Sequence, residues 1–146
     1  MFLSVLFGQF SIAEEKFLSL KKNKVNVRYG PSFDSKIKYI YKKINLPIKQ
    51  IDKKENFRRI VDLKNNSGWI HISQLKKSNS IIILEDKVLF KKPSKLSRPV
   101  ARLEMGRLLI IKKCENMWCN IITDDFFGHL QMQLILFFNL TFLNFK

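Results

Sequence analysis

The chain has 146 residues, 46% of them apolar, which is enough to bury a core and suits one medium domain or two small ones. Lys and Arg outnumber Asp and Glu 27 to 12, for a formal net charge of +15. The cations are mostly Lys scattered from Lys16 to Lys113 among Asn, Ile and Phe, the signature of an A/T-rich coding bias, and no zinc-finger spacing, basic zipper or ribonucleoprotein motif accompanies them. A solvated basic surface is therefore favoured, contact with anionic surfaces comes second, and specific nucleic-acid binding last.

Little Ala and much Ile, Val, Phe and Tyr, broken every few residues by Lys, Asn and Ser, favour short strands and an all-β fold. Residues 1–13 (MFLSVLFGQFSIA) form an apolar run ending in the small residues Ser11 and Ala13, just before Glu14-Glu15-Lys16. This is the form of the end of a secretory signal with its cleavage site, though it lacks a basic start; a buried first strand is the alternative. A helix crossing a bilayer needs about 20 apolar residues, more than this run supplies.

From Val25 onward the chain repeats itself at an offset of about 60 residues. Val25-Asn26-Val27 before Pro31-Ser32 corresponds to Val88-Leu89-Phe90 before Pro93-Ser94. Ile37 and Ile40 match Val100 and Leu103, and the bent apolar stretch from Ile44 to Ile51 matches Leu108 to Ile111. Phe57 to Val61 matches Trp118 to Ile122, and Gly68-Trp69-Ile70 matches Gly128-His129-Leu130. Each unit thus holds about five short strands, too few to leave their edges open, so each is expected to curl into a small barrel. In the first barrel the inward side chains are expected to be Val25, Val27, Ile37, Ile40, Ile48, Ile51, Phe57, Ile60, Trp69 and Ile70 or Ile72. The polar stretch from Lys76 to Ser80 reads as a short link.

Cys114 and Cys119 flank four residues, a spacing that suits a tight hairpin with the sulfurs on facing strands, and a structural disulfide is expected. His71 and His129 sit in different units, so neither a zinc site nor a cysteine nucleophile with a local base is indicated. Glu85-Asp86 and Asp124-Asp125 fall in turns and read as solvated. At the end, Leu134 to Phe145 (LILFFNLTFLNF) is apolar but again too short to span. It reads as a covering edge strand, a sticky interfacial segment, or an ending altered by a shifted reading frame.

Asn26-Val27-Arg28-Tyr29-Gly30-Pro31-Ser32, with NFRRI at 56–60 and GWIHISQL at 68–75, resembles the bacterial SH3-like (SH3b) family, whose repeats open with N-V-R-x-G-P-S and close with G-W-V/I. With KINLPIKQI (43–51) and VARLEMGRLLIIKKCENMWCNI (100–121), the chain over about residues 16–134 is similar to periplasmic two-repeat SH3 proteins of alphaproteobacterial type. The resemblance implies two tandem small SH3-like β-barrels, at 16–76 and 81–134, after a partial signal peptide at 1–13 and before an apolar tail at 135–146. It further implies an exported, periplasmic protein of the cell envelope, and the residues, which offer no nucleophile with its base and no ligand set, give no reason to expect an enzyme, a cofactor or a metal. Its partner would be a peptidoglycan peptide or an envelope protein; a structural interaction protein without a small ligand is the alternative.

Departures from the family favour the first unit for binding: His129 stands where the family carries Trp, and Leu89 to Ser94 lacks the Asn-Val-Arg and Gly. Tyr29, Phe33, Tyr39 and Tyr41 lie in or after the long loop behind the first strand and are the candidate ligand contacts. Arg28 joins them because a guanidinium can hold a peptide carboxylate, as could Arg58 and Arg59. Trp69 and Trp118 each begin an apolar strand after a turn and read as core fillers.

Overall fold

The computed structural model describes residues 16–132. The expected signal segment at 1–13 and the apolar tail at 135–146 lie outside the described residues, as do the last two residues of the expected second unit.

The described chain is all-β. Seven short strands make the first sheet: β1 (Lys16–Leu20), β2 (Val25–Arg28), β3 (Ile37–Tyr41), β4 (Pro47–Lys54), β5 (Phe57–Val61), β6 (Ser67–His71) and β7 (Leu75–Lys77). They pair antiparallel in the order β3-β2-β6-β5-β4-β1-β7, with one 3-10 turn, Ile72–Gln74, between β6 and β7. Leu20, Val25, Val27, Ile48, Ile60, Ile70 and Leu75 form one buried cluster drawn from almost every strand. Residues from near both ends of the sheet can meet only if it curls around them. No ladder joins β3 to β7, however, so the sheet is open where a closed barrel was expected. Tyr39 and Tyr41 on β3 pack against the core cluster, so side chains rather than main-chain bonds cover that end.

Two bulges decide which side chains enter the core. On β4 the pairing steps from Gln50↔Ile60 to Asp52↔Arg59, leaving Ile51 unpaired and 47% exposed. On β3 the step from Val27↔Tyr39 to Arg28↔Ile37 leaves Lys38 unpaired. Residues directly opposite share a face. Tyr39 and Tyr41, opposite Val27 and Val25, therefore point inward, while Ile37 and Ile40, opposite Arg28 and Asn26, are exposed. The expected core is thus corrected at Ile37, Ile40 and Ile51, all exposed, at Phe57, which is buried on the outer face, and at Trp69, which is half-buried between inward-facing Gly68 and Ile70; of the alternatives Ile70 and Ile72, Ile70 is the buried one.

The second sheet comprises β8 (Ser80–Ile82), β9 (Lys87–Phe90), β10 (Pro99–Leu103), β11 (Leu108–Glu115), β12 (Trp118–Ile122) and β13 (Phe127–Gln131), in the order β10-β9-β13-β12-β11-β8. Among the described residues this is the order of the first sheet without a counterpart of β7. The bulge recurs on β11 between Ile111 and Lys113. At the β11–β12 hairpin, Asn116 and Met117 have φ of 48° and 66°, the left-handed pair a two-residue turn needs to match strand twist. Cys114 and Cys119 are then directly opposite and joined by a disulfide, as their spacing predicted. Cys119 is buried within a cluster of Ile81, Leu89, Leu103, Leu109, Ile111, Ile121 and Leu130.

Between the sheets only Ser78 and Asn79 lie outside strands, so the polar link expected at 76–80 is largely strand, with Ser78 and Ser80 buried. Ser19 Oγ lies 2.7 Å from both Ser78 Oγ and Ser80 Oγ, and Ser80 Oγ donates to Asn45 O at 2.6 Å. Three hydroxyl protons suffice for one continuous chain, Ser78 to Ser19 to Ser80 to the Asn45 carbonyl. The Ile111 N–H donates to Asn79 O at 2.8 Å, tying the link to the second sheet as well.

Candidate functional site

On β6, burial of Gly68 and Ile70 leaves Ser67, Trp69 and His71 on the outer face; on β2, burial of Val25 and Val27 leaves Asn26 and Arg28 there. The pairs Ile37↔Arg28, Arg28↔Trp69, Trp69↔Arg59 and Arg59↔Asp52 then draw one row across five strands. Two guanidinium groups flank an indole in the middle of that row. Gly68 permits it: a Cβ there would sit 2.4 Å from Val27 Cγ1 and 3.0 Å from the Arg28 carbonyl, so any larger residue would push β2 off β6.

Beside the row stands an aromatic cluster. Phe57, opposite His71, is buried not in the core but under Phe33, with ring centroids 5.2 Å apart edge-on. His71 lies 4.8 Å from Phe33 and 5.1 Å from Phe57. The Ser73 N–H donates to His71 Nδ1 at 3.3 Å, so Nδ1 is the acceptor and Nε2 carries the proton of the neutral ring. Phe33 remains 61% exposed, because the loop from Tyr29 to Lys36 holds it over the sheet. Arg28 anchors that loop: its Nη1 donates to Phe33 O at 3.0 Å and Ser35 O at 2.8 Å, and its guanidinium lies 5.7 Å from the Phe33 ring centre.

The candidate residues chosen from sequence fall in two places. Arg28, Tyr29 and Phe33 gather at this outer face, with Tyr29 66% exposed beneath Lys38. Tyr39 and Tyr41 sit on the other face of the sheet, their hydroxyls 3.3 Å apart, with Tyr41 Oη donating to Asp62 Oδ2 at 2.9 Å. Burial chiefly, with the Tyr39 and Asp62 hydrogen bonds, pushes the Tyr41 phenol far above its ordinary range, and burial likewise raises Tyr39. Burial works to raise the Asp62 carboxyl too, but hydrogen bonds from Asn66, Tyr41 and Lys64 outweigh it and hold Asp62 below its ordinary value. This trio fastens the β5–β6 turn to β3.

The two neighbouring arginines separate cleanly. Arg58 Nη1 donates to the carbonyls of Glu55 and Phe57, a turn brace. Arg59 is exposed and its guanidinium has no partner among the described residues. Phe57 and Trp69 were expected inside, but β5 and β6 pair without a bulge, so the buried Ile60 and Ile70 put both of them, with His71, on the outer face, where Phe57 is covered by Phe33. The second sheet repeats the geometry with other chemistry: Phe90↔His129, His129↔Asn120 and Asn120↔Lys113 occupy the corresponding row, without a guanidinium.

The first sheet is thus a curled antiparallel sheet of short strands, with its core inside and an arginine-aromatic row outside. Residues 21–77 match the family described as bacterial SH3 domain. No curated protein matches the chain. Solved structures similar to it include NlpC2 from Trichomonas vaginalis, at 12% identity and a TM-score of 0.37 over 80% of this chain and 46% of that one. NlpC1 from Trichomonas vaginalis is similar at 14% identity and a TM-score of 0.35, over 89% and 49%. The chain spans about half the length of these two proteins. Among the described residues no helix is long and apolar enough to cross a membrane, and no group of three or more His, Cys, Asp or Glu is placed to hold a metal.

Proposed function

We propose that the protein is an exported, non-enzymatic binding module of the cell envelope, built from two tandem SH3-like curled sheets, that docks a peptidoglycan peptide through the outer face of its first sheet. The observation that carries this reading is the Arg28–Trp69–Arg59 row, in which Arg59 has no partner among the described residues and adjoins a half-buried indole. A guanidinium beside an aromatic plate suits a peptide carboxylate with an aliphatic or amide neighbour. The bacterial SH3 match over this same sheet supports the assignment, and the Cys114–Cys119 disulfide supports an oxidising compartment.

Cosedimentation of the full chain with purified peptidoglycan tests it. Arg59→Ser is expected to weaken retention about tenfold, the effect of one charge-assisted hydrogen bond. Arg58→Ser, which removes only a turn brace, is expected to retain binding. Equal retention of both variants, or no retention of the parent protein, overturns the reading.

A further inference from the structure

A crevice of about 440 Å³ lies where the two sheets meet, away from the outer-face row. Asn23, Lys42, Lys43, Ile44 and Asn45 line it from the first sheet, and Arg107, Leu108, Ile110, Ile122, Thr123 and Asp124 from the second. Three cations face one carboxylate in this lining, with Asp125 paired to Arg107 behind it. Lys42 and Lys43 have no side-chain partner among the described residues, and Arg107 gives only part of its donor set to Asp125.

Asn45 supplies an independent observation. Its φ of 62° is left-handed, its N–H donates to Leu20 O at 2.9 Å, and its carbonyl accepts from Ser80 Oγ. The turn is thus pinned from both sheets, and the Ile44 N–H adds a bond to Asn23 Oδ1 at 3.3 Å. Yet Asn45 Oδ1 is buried without a hydrogen-bond partner among the described residues. That oxygen exposes less than 1 Å² and faces no ligand as the turn stands, so what the crevice offers a ligand is positive charge from cations held at its rim by a turn pinned on both sides. Two ammonium groups, compact point charges with rotatable donors, suit phosphate better than the planar carboxylate that arginine forks favour. Ile44, Leu108, Ile110 and Ile122 offer apolar wall to the C–H face of a polyol or sugar, and the volume lies in the range of small-ligand sites.

We propose that the crevice is a second binding site, for a phosphate-bearing polyol or sugar, its phosphate held by Lys42, Lys43 and Arg107 and its C–H face packed on the apolar wall. The site is separate from the outer face and stands or falls without it. The test is an amide NMR titration of the full chain with sn-glycerol 3-phosphate, with inorganic phosphate and glycerol as separate probes. Saturable shifts at Asn23, residues 42–45 and Arg107 are expected, about tenfold weaker in Lys42→Ser/Lys43→Ser and unchanged in Arg59→Ser. Both lysines are exposed, so the double variant is expected to fold. Inorganic phosphate should bind more weakly and glycerol not at all. Cosedimentation with phosphatidylglycerol vesicles, abolished in the double variant, would identify a lipid headgroup as the source; no cosedimentation alongside a positive titration would identify soluble or polymer-borne phosphate. Absence of saturable shifts, shifts indifferent to the double variant, phosphate binding as tight as the polyol phosphate, or preference for an oligonucleotide with a steep salt slope overturns the proposal.

Discussion

Reduction of the Cys114–Cys119 bridge should destabilise the second sheet selectively and by a calculable amount. The bridge closes a loop of only about six residues, for which chain entropy gives about 2 kcal/mol. At a typical urea dependence of about 1–2 kcal/mol/M, the unfolding midpoint should fall by about 1–2 M. Each sheet contains one of the two tryptophans, Trp69 on β6 and Trp118 on β12. In a Trp69→Phe background, fluorescence therefore reports from Trp118, adjacent to the buried Cys119. Urea titrations with and without a phosphine reductant supply the comparison, and Cys114→Ala/Cys119→Ala is expected to match the reduced protein and to ignore the reductant. A Trp118 midpoint that does not move on reduction would refute the argument, because the hairpin would then be held by packing and turn geometry alone.

Gly68→Ala is expected to cost about 1–3 kcal/mol, since the added methyl meets Val27 Cγ1 and the Arg28 carbonyl and must part β2 from β6; thermal unfolding measures the loss, and retention on peptidoglycan should fall with it as Arg28 moves from Trp69. For Asp62, whose folded carboxyl is held below its ordinary value, the stabilising effect is present above the unfolded value near pH 4 and is lost as pH falls through the folded one. Asp62→Asn should therefore be less stable than the parent by about 1 kcal/mol at neutral pH, a low figure because the side chain is largely solvated. That gap should close as urea titrations are taken below pH 4; a gap that widens on acidification would show that Asp62 does not act as a carboxylate acceptor.

What could be read from the sequence follows what the physics makes local. Turn chemistry and alternation at Val25-Asn26-Val27, Phe57 to Val61 and Gly68 to Ile70 mark strands, and C-x4-C around an Asn-Met turn marks the cross-strand pair. Bulges are set by the partner strand, so they leave no such mark. A single extra residue at Lys38 reverses the faces of Ile37 and Tyr39, and with them the division between core and surface. Tyr39 and Tyr41 accordingly cover the core, whereas Trp69 stands in the outer row by plain alternation with Gly68 and Ile70, and its size and apolar character masked that parity. β1, β7 and β8 were hidden because Lys, Ser and Asn dominate them or adjoin them; their burial depends on Ser19, Ser78 and Ser80 satisfying one another, a three-body condition no single segment displays. At the candidate face, the Arg28 end was legible from its motif, whereas Arg59 acquired its place only through pairing with Trp69.

The serine relay at the junction also bears on how the molecule could hold a large ligand. Tandem modules on a loose tether must search for a second contact after the first, at an effective concentration fixed by tether length. Here two residues separate the strands of one sheet from those of the next, and their hydroxyl and carbonyl groups are bonded to both sides. The spacing between faces is consequently preset, and a polymer whose repeat matches it would make its second contact with little further loss of orientational freedom. One whose repeat does not match would gain nothing from the second sheet.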